Sequence, residues 1–263
     1  MASNSTNQNP ELSGNVLFYK NPHPLSASQH GGLGIKKIEK PFEFLKSAHA
    51  VPITVSEFGV AATSYPIIFV GKEMTPLAVM GVRQNENLYV NDEGQVDSEY
   101  YIPAFARRYP FVFASDPGSD RMVLCVDRDA PMVTNKPETP FFDNGEPAEY
   151  TTNAIEFCKE FERHRRNTAE FIQHLTSNNL LEQKTVSFQS RDENGVETGE
   201  SQKIADYWAV DENRLKDLPS ETYLELKENG ALGVIYAHIV SLMNWQRVIQ
   251  RALRVQAAAP ASE

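Results

Sequence analysis

Two aspartates that follow an apolar run are the sharpest candidates for chemistry. Residues 123–129 read VLCVDRD, so Asp127 and Asp129 come directly after a strand-length segment. Such a pair could bind a divalent metal through oxygen ligands and serve a transferase or hydrolase. Alternatively, the strand runs into a polar turn in which Asp129 caps the following residues. We favour the structural interpretation because no second acidic motif lies nearby, and we assign no metal.

Histidine and glutamate side chains offer a second possible polar site. His49 and Glu57 bracket a predicted strand, so they could approach one another across a sheet edge, but no third orienting group is identifiable. His238 flanks the apolar stripe of the last predicted helix, and histidine is the natural proton donor and acceptor near neutral pH. A structural role is again the favoured interpretation. The speculative polar site therefore consists of His49, Glu57, Asp127, Asp129 and His238.

Two adjacent arginines form a candidate anion grip. Arg107 and Arg108 end a predicted helix, and Tyr109 precedes Pro110, which favours extended backbone there. Guanidinium groups bind carboxylate or phosphate bidentately, so Arg107, Arg108 and Tyr109 could hold an anionic ligand. The alternative is that the arginines complement the dipole of the helix and form salt bridges.

Several catalytic and cofactor motifs are absent. The sequence has no GxxxxGK(S/T) phosphate loop, no GxGxxG, no GxSxG and no HExxH. None of the six histidines is followed two residues later by Asp or Glu, which argues against the usual facial-triad iron site. We therefore predict no cofactor.

Composition indicates a self-sufficient globular protein. The chain has 263 residues, of which 41% are hydrophobic, and its net charge is −10. This charge disfavours non-specific nucleic-acid binding. The two cysteines, Cys125 and Cys158, form no CxxC motif and suit a reducing compartment. With no secretory signal and no segment long enough to span a bilayer, we predict a soluble, cytoplasmic protein.

The predicted secondary structure changes once along the chain, from strand-rich to helix-rich. Residues 15–130 hold many strand-length apolar runs and short predicted helices, and residues 131–149, with four prolines, form a loop and a candidate boundary. Residues 150–255 are helix-rich. Residues 1–14 and 256–263 lack core-forming patterns and are predicted to be disordered tails.

Helical periodicity is clearest in the second half. Apolar residues at 3–4 spacing predict helices over 152–177 and over 231–255, the latter with a stripe from Leu232 to Leu253. Between these helices, residues 184–190 and 202–210 predict a hairpin. The whole pattern predicts an α+β fold, in which a mostly antiparallel N-terminal sheet with short helices packs against longer C-terminal helices.

Several segments resemble the SapC family of bacterial proteins. They are residues 49–53 (HAVPI), 57–58, 65–70 (YPIIFV), 76–81 (PLAVMG), 86–88, 101–104 (YIPA), 107–111 (RRYPF), 236–239 (YAHI) and 241–242. The resemblance extends from about residue 16 to 248 and implies one domain over residues 15–255. It brings no catalytic residues with it. A permease label attached to some members conflicts with the lack of a membrane-spanning segment.

The resemblance implies a soluble bacterial accessory protein linked to envelope, surface-layer or outer-membrane uptake systems. Our first hypothesis is accordingly a non-catalytic binding protein with a protein or peptide partner. The alternative is an enzyme, either a metal-dependent transferase or hydrolase using Asp127 and Asp129 or a site built from His49, Glu57, Arg107 and Arg108. A third hypothesis is self-assembly through the 232–253 stripe.

Overall fold

A computed structural model describes residues 17–115, 122–191 and 197–258. The predicted tail 1–14 and residues 259–263 of the second predicted tail lie outside these ranges. The described strands are β1 Pro22–Pro24, β2 Gly34–Ile35, β3 Ala50–Pro52, β4 Ile67–Val70, β5 Thr75–Val79, β6 Phe111–Ser115, β7 Met122–Asp127, β8 Val133–Thr134, β9 Thr139–Pro140, β10 Phe142–Asp143, β11 Glu146–Pro147, β12 Leu181–Arg191 and β13 Glu197–Val210.

The helices are mostly short before residue 149 and longer after it. They are α1 Ala27–His30, α2 Phe58–Ala61, α3 Ala104–Arg107, α4 Glu149–Ser177, α5 Glu212–Lys216, α6 Ser220–Glu228, α7 Ala231–Ser241 and α8 Asn244–Ala258, with 3-10 turns at Glu43–Leu45 and Val55–Glu57. None of the described helices is long and apolar enough to cross a membrane.

The predicted α+β class is confirmed. Every pairing between the described strands is antiparallel. The chain divides into two compact units, the first comprising the described residues up to 44 together with 107–162, the second residues 45–106 and those from 163 onward. One domain over residues 15–255 stays a prediction.

The first unit is organised around a three-stranded sheet with the order β1-β7-β6. Because side chains alternate along a strand, Phe111 and Val126 point to one face and Val112 and Cys125 to the other. Residues on both faces are buried, and the first face also packs against Cys158 of α4. Burial of both faces explains why these strands read as continuous apolar runs in the sequence.

The second unit contains a five-stranded sheet with the order β12-β13-β4-β5-β3. The predicted hairpin is present as β12 and β13, and it joins the earlier strands where Trp208 pairs with Phe69. Strands from both halves of the sequence therefore form one sheet. Its core includes Ile68, Ala209 and Trp245, and α7 packs against β4 and β13.

The single helix predicted over residues 231–255 is wrong, because α7 ends at Ser241 and α8 begins at Asn244. Polar side chains fix this junction. The buried Asn244 amide donates to the carbonyl oxygens of Ala62 (2.7 Å) and Tyr65 (3.2 Å). The Ser241 hydroxyl accepts from the backbone N–H of Ile67 at 3.0 Å. These bonds tie both helix ends to one segment, and the apolar periodicity gives no sign of them.

Candidate functional site

Asp127 is fully buried at the end of β7, and protein donors take both of its carboxylate oxygens. Oδ1 accepts from the backbone N–H groups of Asn21 (2.9 Å) and Asp129 (3.1 Å). Oδ2 accepts from the N–H of Lys20 (2.9 Å) and the hydroxyl of Tyr109 (3.3 Å). Four hydrogen bonds satisfy a buried charge, so this carboxylate fastens residues 20–21 to the end of the strand.

Tyr109 is buried beside Asp127 and acts as its hydroxyl donor. Burial raises the pKa of Tyr109, and the nearby charge of Asp127 raises it further, so the phenol stays protonated and donates. The centre of its ring lies 4.3 Å from the centre of the Phe44 ring and 5.3 Å from that of the Tyr19 ring. The structure thus brings two of the predicted site residues, Tyr109 and Asp127, into direct contact.

The two candidate grip arginines lie in different environments. Arg108 is only 7% exposed, with its guanidinium 4.5 Å from the centre of the Phe161 ring and 3.9 Å from the Glu162 carboxylate. Arg107 is exposed and lies 5.2 Å from the centre of the Phe157 ring. Arg108 therefore stacks and pairs within the first unit. The anion grip of Arg107, Arg108 and Tyr109 stays a prediction.

Glu57 is the counterpart of Asp127 in the second unit, and it is also buried. Oε2 accepts from the N–H and the hydroxyl of Thr54, both at 2.8 Å. Oε1 accepts from the Tyr101 hydroxyl (3.0 Å) and the Ala104 N–H (2.7 Å). Thr54 and Glu57 form a capping box. The Thr-x-x-Glu spacing that identifies a capping box is present in the sequence at residues 54–57.

His238 is fully buried on α7 and is neutral. Its Nε2 accepts from the backbone N–H of Val210 at 3.1 Å, so Nδ1 carries the proton. Burial lowers the pKa of His238 to about 3, against a smaller opposing effect of the Ile67 backbone. Nδ1 is buried and has no hydrogen-bond partner among the described residues, and the structural role of His238 stays a prediction.

His49 is exposed, and its described contacts are through its backbone, whose carbonyl accepts from the N–H groups of Met80 (2.7 Å) and Gly81 (2.9 Å). His49 supplies none of the four donors that bind the Glu57 carboxylate. Both residues belong to the second unit together with His238, whereas the predicted aspartates and arginines belong to the first. The speculative polar site therefore draws on residues of two units.

The side chains that commonly bind metals or act as nucleophiles are dispersed. Across residues 17–115, 122–191 and 197–258, no three His, Cys, Asp or Glu side chains are grouped so that they could hold a metal ion. Both cysteines are free thiols, and burial raises the pKa of Cys125 to about 11 and that of Cys158 to about 12. Because the thiolate is the reactive form, burial keeps both cysteines unreactive.

A surface that the sequence analysis missed lies on the outer side of α7. We define the α7 outer face as Tyr236, Val240 and Met243, which are exposed by 47%, 56% and 76%. Tyr236 and Val240 lie one turn apart on α7, and Met243 follows in the turn between α7 and α8, where its N–H donates to the Val240 carbonyl oxygen at 3.1 Å. The signal was present in the sequence as a helix whose apolar residues extend beyond a single stripe.

Comparisons with known proteins identify a family for this chain. None of the curated proteins and none of the solved structures matches it. The family model SapC matches residues 25–248, in agreement with the resemblance seen in the sequence. Since that match covers most of the 263 residues, the chain belongs to the SapC family.

Proposed function

We propose that this chain is a non-catalytic accessory protein that binds a protein partner in the cytoplasm, in the service of envelope, surface-layer or outer-membrane uptake systems. The observation that carries the proposal is the α7 outer face. Family membership and the absence of a membrane-spanning helix among the described residues support it.

The composition of α7 makes its exposure unusual. The helix reads ALGVIYAHIVS and contains no residue charged at neutral pH, because His238 is neutral. A helix that is apolar on all sides is normally buried. Ile235 and His238 on the inner side are fully buried, whereas the α7 outer face is open. Large exposed apolar side chains so close together in the chain are typical of a protein contact surface.

The interior carboxylates support a binding role rather than a catalytic one. Each oxygen of Asp127 and of Glu57 already accepts two hydrogen bonds from the protein. A carboxylate held in this way stabilises the fold and has no acceptor position left for a metal or a substrate proton. The alternative of a metal-dependent transferase or hydrolase at Asp127 and Asp129 therefore has less support.

Site-specific photocrosslinking in the native host tests the proposal. A photoreactive amino acid at position 240 should yield a discrete adduct with one other protein, because this side chain faces the partner. The same amino acid at position 224 is the matched control, since Leu224 is similarly exposed (51%) but lies on α6. We expect the adduct at position 240 only, and we expect Tyr236→Glu to abolish it.

The captured protein must then bind the purified full-length chain without the crosslinker. Binding that Tyr236→Glu abolishes would support the proposal. Identical adducts at positions 240 and 224, or no adduct with another protein at position 240, would overturn it. A parallel Arg107→Ala, Arg108→Ala variant tests the anion grip, because loss of the partner in that variant alone would transfer the binding site to the first unit.

A further inference from the structure

Charge is distributed unevenly along the sequence. Residues 231–258 contain three arginines and no Asp, Glu or Lys, whereas the whole chain has 35 acidic and 25 basic residues. All three arginines lie on α8, as Arg247, Arg251 and Arg254. Spacings of four and three residues place them on one side of the helix. We call this set the α8 arginine row.

Contacts within the second unit hold two of these guanidinium groups in place. That of Arg251 lies 4.7 Å from the ring centre of Tyr89 and 4.8 Å from that of Tyr100, and its Nη1 donates to the Tyr100 hydroxyl at 2.7 Å. The Nη1 of Arg247 donates to the Asn244 Oδ1 at 3.2 Å and the Thr63 carbonyl oxygen at 3.4 Å. Both groups are thus ordered before any ligand arrives, which lowers the entropy cost of binding.

The charges of the α8 arginine row are not neutralised by the surrounding part of the chain that the structure describes. No described carboxylate forms a salt bridge with any of the three. The hydrogen bonds of Arg247 and Arg251 to described residues use Nη1, so Nε and Nη2 are the donors that a ligand would take. In an acidic protein, such a row is a positively charged surface with defined geometry.

We propose that the α8 arginine row binds an acidic segment of the protein partner, one that presents Asp or Glu side chains along a helix or strand. Guanidinium groups pair bidentately with carboxylates, and lysine would not reproduce that geometry. This proposal rests on the proposed function, since it names the chemistry of the partner whose apolar part meets the α7 outer face. Charge complementarity also contributes specificity and speeds association.

An anionic membrane is the competing ligand for the same charges. Helices that lie on membranes bury large apolar side chains beside their cationic residues. On α8, the exposed positions next to the arginines are Gln246, Gln250, Leu253 and Val255, whereas Trp245 and Val248 are buried in the second unit. Because Trp245 and Val248 face the interior, few large apolar side chains of α8 could enter a lipid layer, so a protein segment suits this mixed polar and apolar surface better.

Binding of a defined acidic peptide to the full chain tests the proposal. The probe is a labelled alanine-based helix with glutamates at i, i+4 and i+7, and its glutamine counterpart is the reference. We expect Arg247→Gln with Arg254→Gln to weaken binding of the acidic peptide about tenfold or more, since two bidentate pairs are lost. Binding should also weaken as salt is added.

A matched double variant distinguishes peptide binding at a defined site from attraction by the overall charge of the protein. Lys72→Gln with Arg166→Gln removes the same charge from exposed positions outside α8, and we expect it to change the affinity less than about twofold, as screening of distant surface charges predicts. Equal weakening by both double variants, or no preference for the acidic peptide over its glutamine counterpart, would overturn the proposal. Binding to anionic vesicles that depends on Arg247 and Arg254, without peptide binding, would replace it with a membrane site.

Failure of the arginine row as a site can be distinguished from failure of the proposed function. If the crosslinked partner binds through the α7 outer face and ignores the arginine substitutions, the arginine row fails as a site and the binding role stands. If the acidic peptide binds through the row but no partner crosslinks at position 240, the row stands as an anion site and the proposed function fails.

Discussion

Asp127 and Glu57 lie in the interior of different compact units, whereas α7 and α8 carry part of their side chains at the surface. Each carboxylate is matched with four protein donors that include one tyrosine hydroxyl. On α7 and α8, by contrast, Tyr236 and Val240 are exposed, and no described carboxylate forms a salt bridge with the arginines of α8. The difference separates polar groups that stabilise the interior from the exposed side chains that the proposed partner would contact.

Asp127→Ala should give the largest loss of stability. The substitution leaves the N–H groups of Lys20, Asn21 and Asp129 and the Tyr109 hydroxyl without their acceptor. We expect the free energy of unfolding to fall by about 3–4 kcal/mol, as buried unsatisfied donors are costly. Urea denaturation measures the change. Asp129→Ala, at an exposed position, should cost no more than about 0.5 kcal/mol, and equal effects would contradict the structural role of Asp127.

Glu57→Gln should have a smaller effect, because one acceptor oxygen is retained. The new amide nitrogen would face two donors, either those of Thr54 or those of Tyr101 and Ala104. We expect a loss of about 2 kcal/mol from the mismatched hydrogen bonds, measured by the same denaturation. The control is Glu73→Gln, which removes an exposed charge. A Glu57→Gln protein as stable as this control would show that the cluster is not stabilising.

Acid should destabilise the second unit through His238. Its pKa is about 3 in the folded state and about 6.5 in an unfolded chain, so the unfolded state takes up a proton first. Stability is complete above pH 6.5 and declines as the pH falls toward 3, by up to about 1.4 kcal/mol per pH unit. Unfolding measured across this range should show the slope, and His238→Gln should reduce it.

His30 provides the corresponding test of acid sensitivity in the first unit. It is buried, its Nδ1 accepts from the backbone N–H of Ser26 at 3.2 Å, and burial lowers its pKa. His30→Asn places an amide oxygen near the same donor and should remove a separate part of the acid slope. If neither histidine substitution alters the pH dependence, the assignment of two neutral buried histidines is wrong.

Substitution on the α7 outer face should change stability least. Val240→Glu introduces a charge at an exposed position, so we expect the free energy of unfolding to stay within about 0.5 kcal/mol of the parent value. Ile235→Glu, on the buried side of the same helix, should unfold the protein or destabilise it severely. Thermal unfolding of the two variants compares the faces directly. A large loss of stability in Val240→Glu would mean that this face is covered within the chain.

The sequence predicts a helix or a hairpin well where periodicity or turn residues within that segment identify it. Helix α4 and the β12–β13 hairpin occur close to their predicted positions, because periodicity and turn residues are local. Pairing of Trp208 with Phe69 is not encoded locally, and neither is the contact between Asp127 and residues 20–21. Such contacts depend on the tertiary fold.

The candidate site shows the same limit. The sequence analysis names Asp127 and Glu57 among the residues of a speculative polar site, but their donors come from segments that only folding brings together. The apolar stripe from Leu232 to Leu253 continues in phase across a junction fixed by Asn244, so periodicity predicts one helix where there are two. Apolar residues beyond the single stripe are visible in the sequence, but which of them are exposed, as Tyr236, Val240 and Met243 are, depends on packing.

The most direct test of the division between interior and outer helices measures partner recovery and thermal unfolding in the same Val240→Glu protein. We predict an unchanged melting temperature together with loss of the partner that the parent chain recovers from its host. Recovery of that partner at the parent level, with the protein folded, would contradict the binding role of the α7 outer face.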